Sequence, residues 1–401
     1  MSGPPRIILY AELLKNIRQV SVGCSLPSDC TSYTEASLSA DSQQLTVHHV
    51  GEECTLRLPA AVSAPRKLRL SDGKHLSWRL PLAEAAPPGR EPYSQPESEV
   101  VAWSAAQLPR GGAVQCRGCR TTVVRELLIG DWKDLPSENW AEMMEFWHCH
   151  KPDTEGHDHG QAEESQAHLA GRGYGANSRI AGQSKIGLVD LTSLLFSEED
   201  CTNLTYAPAN PGPQESFSSS RHGTPVNCSS CSAEIGAYHV ETSSVTLYKW
   251  QIAISRPVTK VDIQPQPTLA NCMASMLAST YSRTGSSKAI ILPVEMSLSS
   301  PSPSGESLLH IFQFNQKISL TSSVVSSQEP ISAVKILYRF VTKAEADRLS
   351  ESLMSDVQDV TLPSPVVRGL KQLLENSNQW LPSQSRTMKE WTVGLLERWN
   401  G

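Results

Sequence analysis

Several features that would place a chain quickly are missing here. No run approaches the ~18–20 consecutive apolar residues of a membrane span. After Met1-Ser-Gly-Pro-Pro-Arg, the stretch Ile7-Ile8-Leu9-Tyr10 is too short and mixed for the apolar core of a secretory signal. No basic stripe stands out and the net charge is −6, so nucleic acid is not expected as a direct partner. No tandem repeat of the solenoid or propeller kind is visible. These absences set the expectation of a soluble intracellular protein of cytoplasm and nucleus, without membrane contact.

What is present is a chain of 401 residues, long enough for two domains. The hydrophobic fraction, 39%, suffices for real cores. Abundant serine and 27 scattered prolines point to many short strands joined by turns. The expected class is mostly β (α+β). Two β-rich halves are joined through a structural zinc site, with several helices toward the C-terminus. The boundaries are an N-terminal domain over 1–200, a Pro-, Ser- and Asn-rich linker over 201–226, and a C-terminal α+β domain over 227–401.

Gln44–His49 and Thr55–Leu58 alternate apolar and polar residues, as strands do. Ser71-Asp72-Gly73 predicts a hairpin turn between Lys67–Leu70 and His75–Leu80. Further strands are expected at 245–254, 289–298, 308–320 and 332–341, and helices at 268–284, 343–356, 364–376 and 386–399. Residues 153–182, rich in Gly, Ser, His and Glu, read as a mobile surface loop.

Ten cysteines need an explanation, because a reducing compartment disfavours a disulfide framework. Cys116-Arg-Gly-Cys119 and Cys228-Ser-Ser-Cys231 share one layout, a Cys-x-x-Cys turn with apolar residues on both sides. Two such turns offer four thiolates, a set that suits tetrahedral zinc at about 2.3 Å per bond. The alternatives are ordinary buried thiols or a redox pair. Because 109 positions separate Cys119 from Cys228, a shared ion would cross-link distant segments, and its binding energy would become folding energy.

One helix stands out. Ser137 is a good N-cap, and Trp140, Met143, Met144 and Trp147 follow at i, i+3, i+4 and i+7. It ends in His148-Cys149-His150. The plain reading is a surface helix packed by two tryptophans; the sharper one displays Cys149 as a ligand at the helix end. An autonomous metal site from His148, His150, His157 and His159 is a further alternative.

Leu135-Pro-Ser-Glu-Asn-Trp140 followed by Trp147-His-Cys-His150 and Pro152, between two Cys-x-x-Cys turns, resembles the HECT-like, ubiquitin-conjugating-enzyme-binding family of ubiquitin-protein ligases. Leu191-Thr-Ser-Leu194, Ala333-Val-Lys-Ile-Leu-Tyr338, Leu362-Pro-Ser364 and the final helices extend the resemblance over most of the chain. It implies a ligase that takes ubiquitin from a conjugating enzyme and passes it to substrate proteins such as a cyclin, promoting their degradation. A thioester route needs a thiol, and Cys272 lies where the family looks similar. Yet Cys272 sits in an apolar helical pattern, without a neighbouring acid, base or Gly-rich turn to activate it, so a core thiol is an equal reading. The eight-ligand Cys/His series of a RING is absent.

The helix also resembles a motif that engages the metallo-β-lactamase-type zinc endonuclease of pre-mRNA 3′-end cleavage. That resemblance implies an inhibitor or chaperone in which Cys149 reaches the partner's zinc, while Ser137, Trp140, Met144, Trp147, His148 and His150 contact the partner. A third reading is a zinc-stabilised scaffold with neither activity.

Overall fold

The computed structural model describes residues 6–83, 101–135, 180–206, 223–294, 307–327, 329–351 and 356–400. Strands dominate these residues, and three α-helices accompany them. The helices are α1 (Leu269–Thr284), α2 (Lys343–Glu351) and α3 (Ser364–Asn378). The chain divides into two compact units: Met1–Val100 with Met273–Asn400, and Val101–Cys272. The second is therefore an insertion between the two segments of the first. A division into 1–200 and 227–401 does not follow these units.

The first unit is built on a nine-stranded sheet. Its spine is the fifteen-residue strand Leu308–Ser322. The start of that strand pairs with Lys288–Pro293, through Ile290↔His310, and its end pairs with Ile8–Leu14, through Tyr10↔Ser322. On its other side lies Ile331–Val341, followed by Trp391–Glu397. A smaller sheet of Glu35–Leu38, Gln44–His49 and Glu52–Arg57 shares a core with Leu9, Val20, Val22, Leu76 and Leu80. In Gln44–His49 every second side chain is buried, as the alternating sequence predicts.

Two expectations fail in this unit. Residues 67–70 form no strand, and His75–Pro81 pairs instead with Gln19–Ser25, Cys24 opposite Leu76. A local turn signal cannot report a partner about fifty residues upstream, one that supplies a full register of backbone bonds. The expected helix over 386–399 is the pair of strands Thr387–Met388 and Trp391–Glu397. Val393, Leu395 and Leu396 are all buried, because the strand is covered on both faces. Such a run cannot be told from a buried helix by periodicity. Gly394 faces α3: a Cβ there would come within 2.7 Å of Leu374 Cδ2. Val366, Leu370 and Leu374, spaced four apart, bury the apolar side of α3.

The second unit holds a seven-stranded sheet. Its order is Leu204–Tyr206, Thr224–Cys228, Glu234–His239, Ser244–Tyr248, Ser193–Ser197, Ile186–Val189 and Asp131–Asp134, with only the last pair parallel. A three-stranded sheet of Ile252–Ser255, Ala113–Cys116 and Thr122–Val124 completes it. The expected strand over 245–254 is thus two strands, in different sheets, separated by a 3₁₀ turn at Lys249–Gln251. The expected linker over 201–226 contributes a strand on either side of residues 207–222. Among the described residues no helix is long and apolar enough to cross a membrane.

Candidate metal centre

Cys116 closes one strand and Cys228 closes another, in separate sheets. After each, the chain makes the same turn. Cys116 N–H donates to Thr121 O at 2.9 Å and Arg120 N–H to Cys116 O at 2.9 Å. In the second turn Cys228 N–H donates to Ala233 O at 2.9 Å and Ser232 N–H to Cys228 O at 2.8 Å. The residue after the second cysteine is left-handed in both, Arg120 at φ 66° and Ser232 at φ 59°. Matching backbone paths aim both sulfurs of each pair at one point.

The four ligand atoms of Cys116, Cys119, Cys228 and Cys231 lie within 4.8 Å of one another. Cys116 Sγ is 3.7 Å from Cys231 Sγ, and Cys119 Sγ is 3.5 Å from Cys228 Sγ. A disulfide needs about 2.05 Å, so these are four free thiols. A tetrahedron with metal–sulfur bonds of ~2.3 Å has edges of about 3.8 Å, close to both separations. The four sulfurs can therefore hold a metal ion. All four belong to the unit Val101–Cys272, so an ion held there would tie two sheets of one unit and would not join an N-terminal half to a C-terminal one.

Cys116 and Cys228 are buried, whereas Cys119 and Cys231 are exposed. Burial pushes the Cys116 thiol up to about 12. The hydroxyl of Thr121, 3.3 Å from Cys119 Sγ, leads the effects that bring Cys119 down to about 6. Thr121 Oγ1 accepts from the Cys119 thiol and donates to Ser230 Oγ at 2.8 Å, one hydroxyl touching both turns. A metal ion would override this asymmetry, because it binds all four as thiolates.

Two cations brace the site. Arg117, inside the first Cys-x-x-Cys, directs its guanidinium at carbonyls: Ile252 O, Pro267 O at 2.8 Å and Lys249 O at 3.1 Å. Lys249 is fully buried, and its Nζ donates to the carbonyls of Ala102, Asp190 and Leu191. Burial lowers its pKa to about 8. Neither residue was legible from sequence. Arg117 sits at a turn position that the Cys-x-x-Cys spacing leaves unspecified, and nothing local marks Lys249 as interior.

Cys272 lies in the first turn of α1, which Thr268 and Asn271 cap reciprocally at 2.9 and 3.2 Å. It is fully buried, and burial pushes its thiol up to about 12 although Lys249 and Arg117 pull the other way. Ser137, Trp140, Met144, Trp147, His148, Cys149 and His150 lie outside the described residues.

The family described as HECT-like ubiquitin-conjugating enzyme (E2)-binding matches residues 12–393, nearly the whole chain. The protein belongs to this family. This HECT-like chain is 26% identical over 385 residues to an E3 ubiquitin-protein ligase of Bos taurus, covering 90% of this chain and 91% of that one. The Homo sapiens ligase of the same name is 24% identical over 296 residues, 70% and 72% of the two chains. An uncharacterized protein of Schizosaccharomyces pombe is 25% identical over 319 residues, 77% and 81%. No solved structure matches. The match places this HECT-like protein among ubiquitin-ligase relatives, with a conjugating enzyme as the family's partner.

Proposed function

We propose that the protein is a ubiquitin ligase that engages a ubiquitin-loaded conjugating enzyme and directs transfer to substrate proteins, with Cys116, Cys119, Cys228 and Cys231 holding one structural zinc ion. The family match over residues 12–393 carries this reading. Zinc suits a four-sulfur set with this spacing, and four thiolates leave no position for water or substrate. The ion holds the framework and does no chemistry.

A thioester on this chain would need an accessible thiolate. Cys272 offers neither access nor a low pKa. The ligase reading favoured by this burial is therefore one of positioning: the protein holds the conjugating enzyme's own thioester where a substrate lysine can attack it. The test is discharge of a ubiquitin-loaded conjugating enzyme onto lysine by the purified full chain. Acceleration is expected for the wild type and for Cys272→Ala alike. No acceleration overturns the ligase reading, and a thiol-sensitive ubiquitin adduct lost in Cys272→Ala restores the thioester route.

A second reading rests on the motif ending in Trp147-His-Cys-His150. Here Trp140 and Trp147 anchor the chain on a metallo-β-lactamase-type endonuclease of pre-mRNA 3′-end cleavage, and Cys149 takes the open position on that partner's zinc. Cys149→Ala should then relieve inhibition of the purified endonuclease without changing the protein's thermal stability. Equal inhibition by the variant sinks this reading.

A further inference from the structure

Arg117 stands between two of the four metal-site thiols, in Cys116-Arg-Gly-Cys119. Its guanidinium is spent on carbonyls away from the sulfurs. Nε and Nη2 donate to Ile252 O at 3.2 and 3.0 Å, and Nη2 also to Lys249 O at 3.1 Å. Nη1 donates to Pro267 O at 2.8 Å. The backbone N–H of the same residue donates to Gln251 O at 2.9 Å. One turn residue thus holds two separate segments, 249–252 and Pro267. Bonds from a charged donor are about twice as strong as neutral ones.

Both segments lead to Cys272. Pro267 immediately precedes Thr268, the cap of α1, and Cys272 N–H donates to Thr268 O at 3.1 Å. Lys249 sends its fully buried ammonium to Ala102 O at 2.6 Å and to the carbonyls of Asp190 and Leu191. The Cys272 thiol lies in the field of Lys249 and Arg117 together, and both cations oppose the effect of its burial. The surroundings of this covered thiol therefore depend on a residue of the metal-site turn. An ion bound by Cys116 and Cys119 would fix both ends of the two-residue segment Arg117-Gly118. Without it the Cys119 end is an exposed thiol, and the segment loses one of its two anchors.

We propose that Arg117 couples occupancy of the four-cysteine site to the protection of Cys272: with metal bound, its guanidinium clamps Pro267 and the Lys249 segment and keeps the first turn of α1 closed over the thiol, and with metal lost that turn opens. This rests on the zinc reading above and extends it, making the centre a gate as well as a framework. The opening is local, confined to the cap and first turn of α1. It removes burial, which raises the Cys272 thiol, and leaves Lys249, which lowers it. The uncovered thiol is therefore the more reactive one.

The test measures alkylation of each cysteine by iodoacetamide, read by mass spectrometry on the full chain, with zinc content followed in parallel. Zinc-loaded wild type should label slowly at Cys272. Arg117→Ala, still carrying one zinc, should label at Cys272 at least about tenfold faster, since the clamp is lost while the ion remains. Cys201, in the same unit but on neither segment that Arg117 holds, is the control and should stay as slow as in the wild type. Chelation should accelerate Cys272 likewise, and added zinc should reverse it. Arg117→Lys, which keeps the charge without the fork, stands in if Arg117→Ala does not fold, and should fall between the two. Unchanged Cys272 labelling in the zinc-loaded Arg117 variants overturns the coupling and leaves the zinc reading intact. Equal acceleration of Cys201 and Cys272 in those variants shows general unfolding and also overturns it. A wild type that binds no zinc overturns the zinc reading and the coupling with it.

Discussion

Arg120 and Ser232 hold equivalent left-handed positions, each immediately after the second cysteine of its pair, at φ 66° and 59°. The turn requires that conformation so that the preceding sulfur points back toward the first. It costs a residue with a Cβ roughly 1–2 kcal/mol, and glycine nothing. Ser232→Gly should therefore stabilise the metal-loaded protein by about 0.5–1 kcal/mol, after the extra entropy that glycine adds to the unfolded chain is subtracted. Arg120→Gly should gain less, because Arg120 also pairs with Asp262 at 2.6 Å. Thermal unfolding of the two variants against the wild type checks the order. A Ser232→Gly protein less stable than the wild type contradicts the account.

Removal of the ion is expected to be severe. The two cysteine pairs sit in different sheets, and the sulfurs are the shared point of the two turns. Chelation, or Cys228→Ser, should lower the unfolding temperature of the unit Val101–Cys272 by several degrees or abolish its cooperative transition. Elemental analysis should find one zinc per chain in the wild type. A fully stable, active preparation without zinc argues against the structural role.

Cys272 should resist alkylation in the native protein and react once the chain is denatured. It is fully buried, with a thiol pushed up to about 12, so almost none is thiolate at neutral pH. Mass spectrometry after iodoacetamide, with and without denaturant, reads this directly. Rapid native labelling of Cys272 would show an access path and reopen its use as a nucleophile.

His310 should make the first unit acid-sensitive. It is 2% exposed, and Arg339 Nε donates to its Nδ1 at 3.3 Å, which requires a neutral ring. Burial, then Arg339 and Lys288, bring its pKa from 6.5 to about 4. The folded value lies below the unfolded one, so the unfolded chain binds more protons between pH 4 and 6.5. Stability from this group is fully present above about 6.5 and is lost as pH falls toward 4. Nε2 has no partner among the described residues, so His310→Leu, which removes the titration, should flatten that stretch of the stability profile. Urea midpoints measured across this range test it; an unchanged slope in His310→Leu sinks the assignment.

Much of the site was legible in the sequence because its signals are local. Two Cys-x-x-Cys turns announce themselves by spacing, and the helix over 268–284 by its apolar positions; the structure places α1 at Leu269–Thr284. Alternation along Gln44–His49 and the apolar run from Leu308 marked strands for the same reason: side-chain period is a property of a few neighbouring residues. Burial of Cys272 was foreshadowed by its apolar setting. Membership in the family was readable from short motifs at set distances.

Partnership was not readable, because it depends on residues far apart. Only the folded chain pairs Ile8–Leu14 with Leu308–Ser322, turns 391–397 from an expected helix into a strand beside Ile331–Val341, and takes His75–Pro81 away from its neighbour at 67–70. Only there do Arg117 and Lys249 find their carbonyls. The sequence by itself determined which thiols can share an ion. Tertiary structure decided what such an ion would join, two sheets of one inserted unit, because backbone pairing between distant strands sets where each turn ends up.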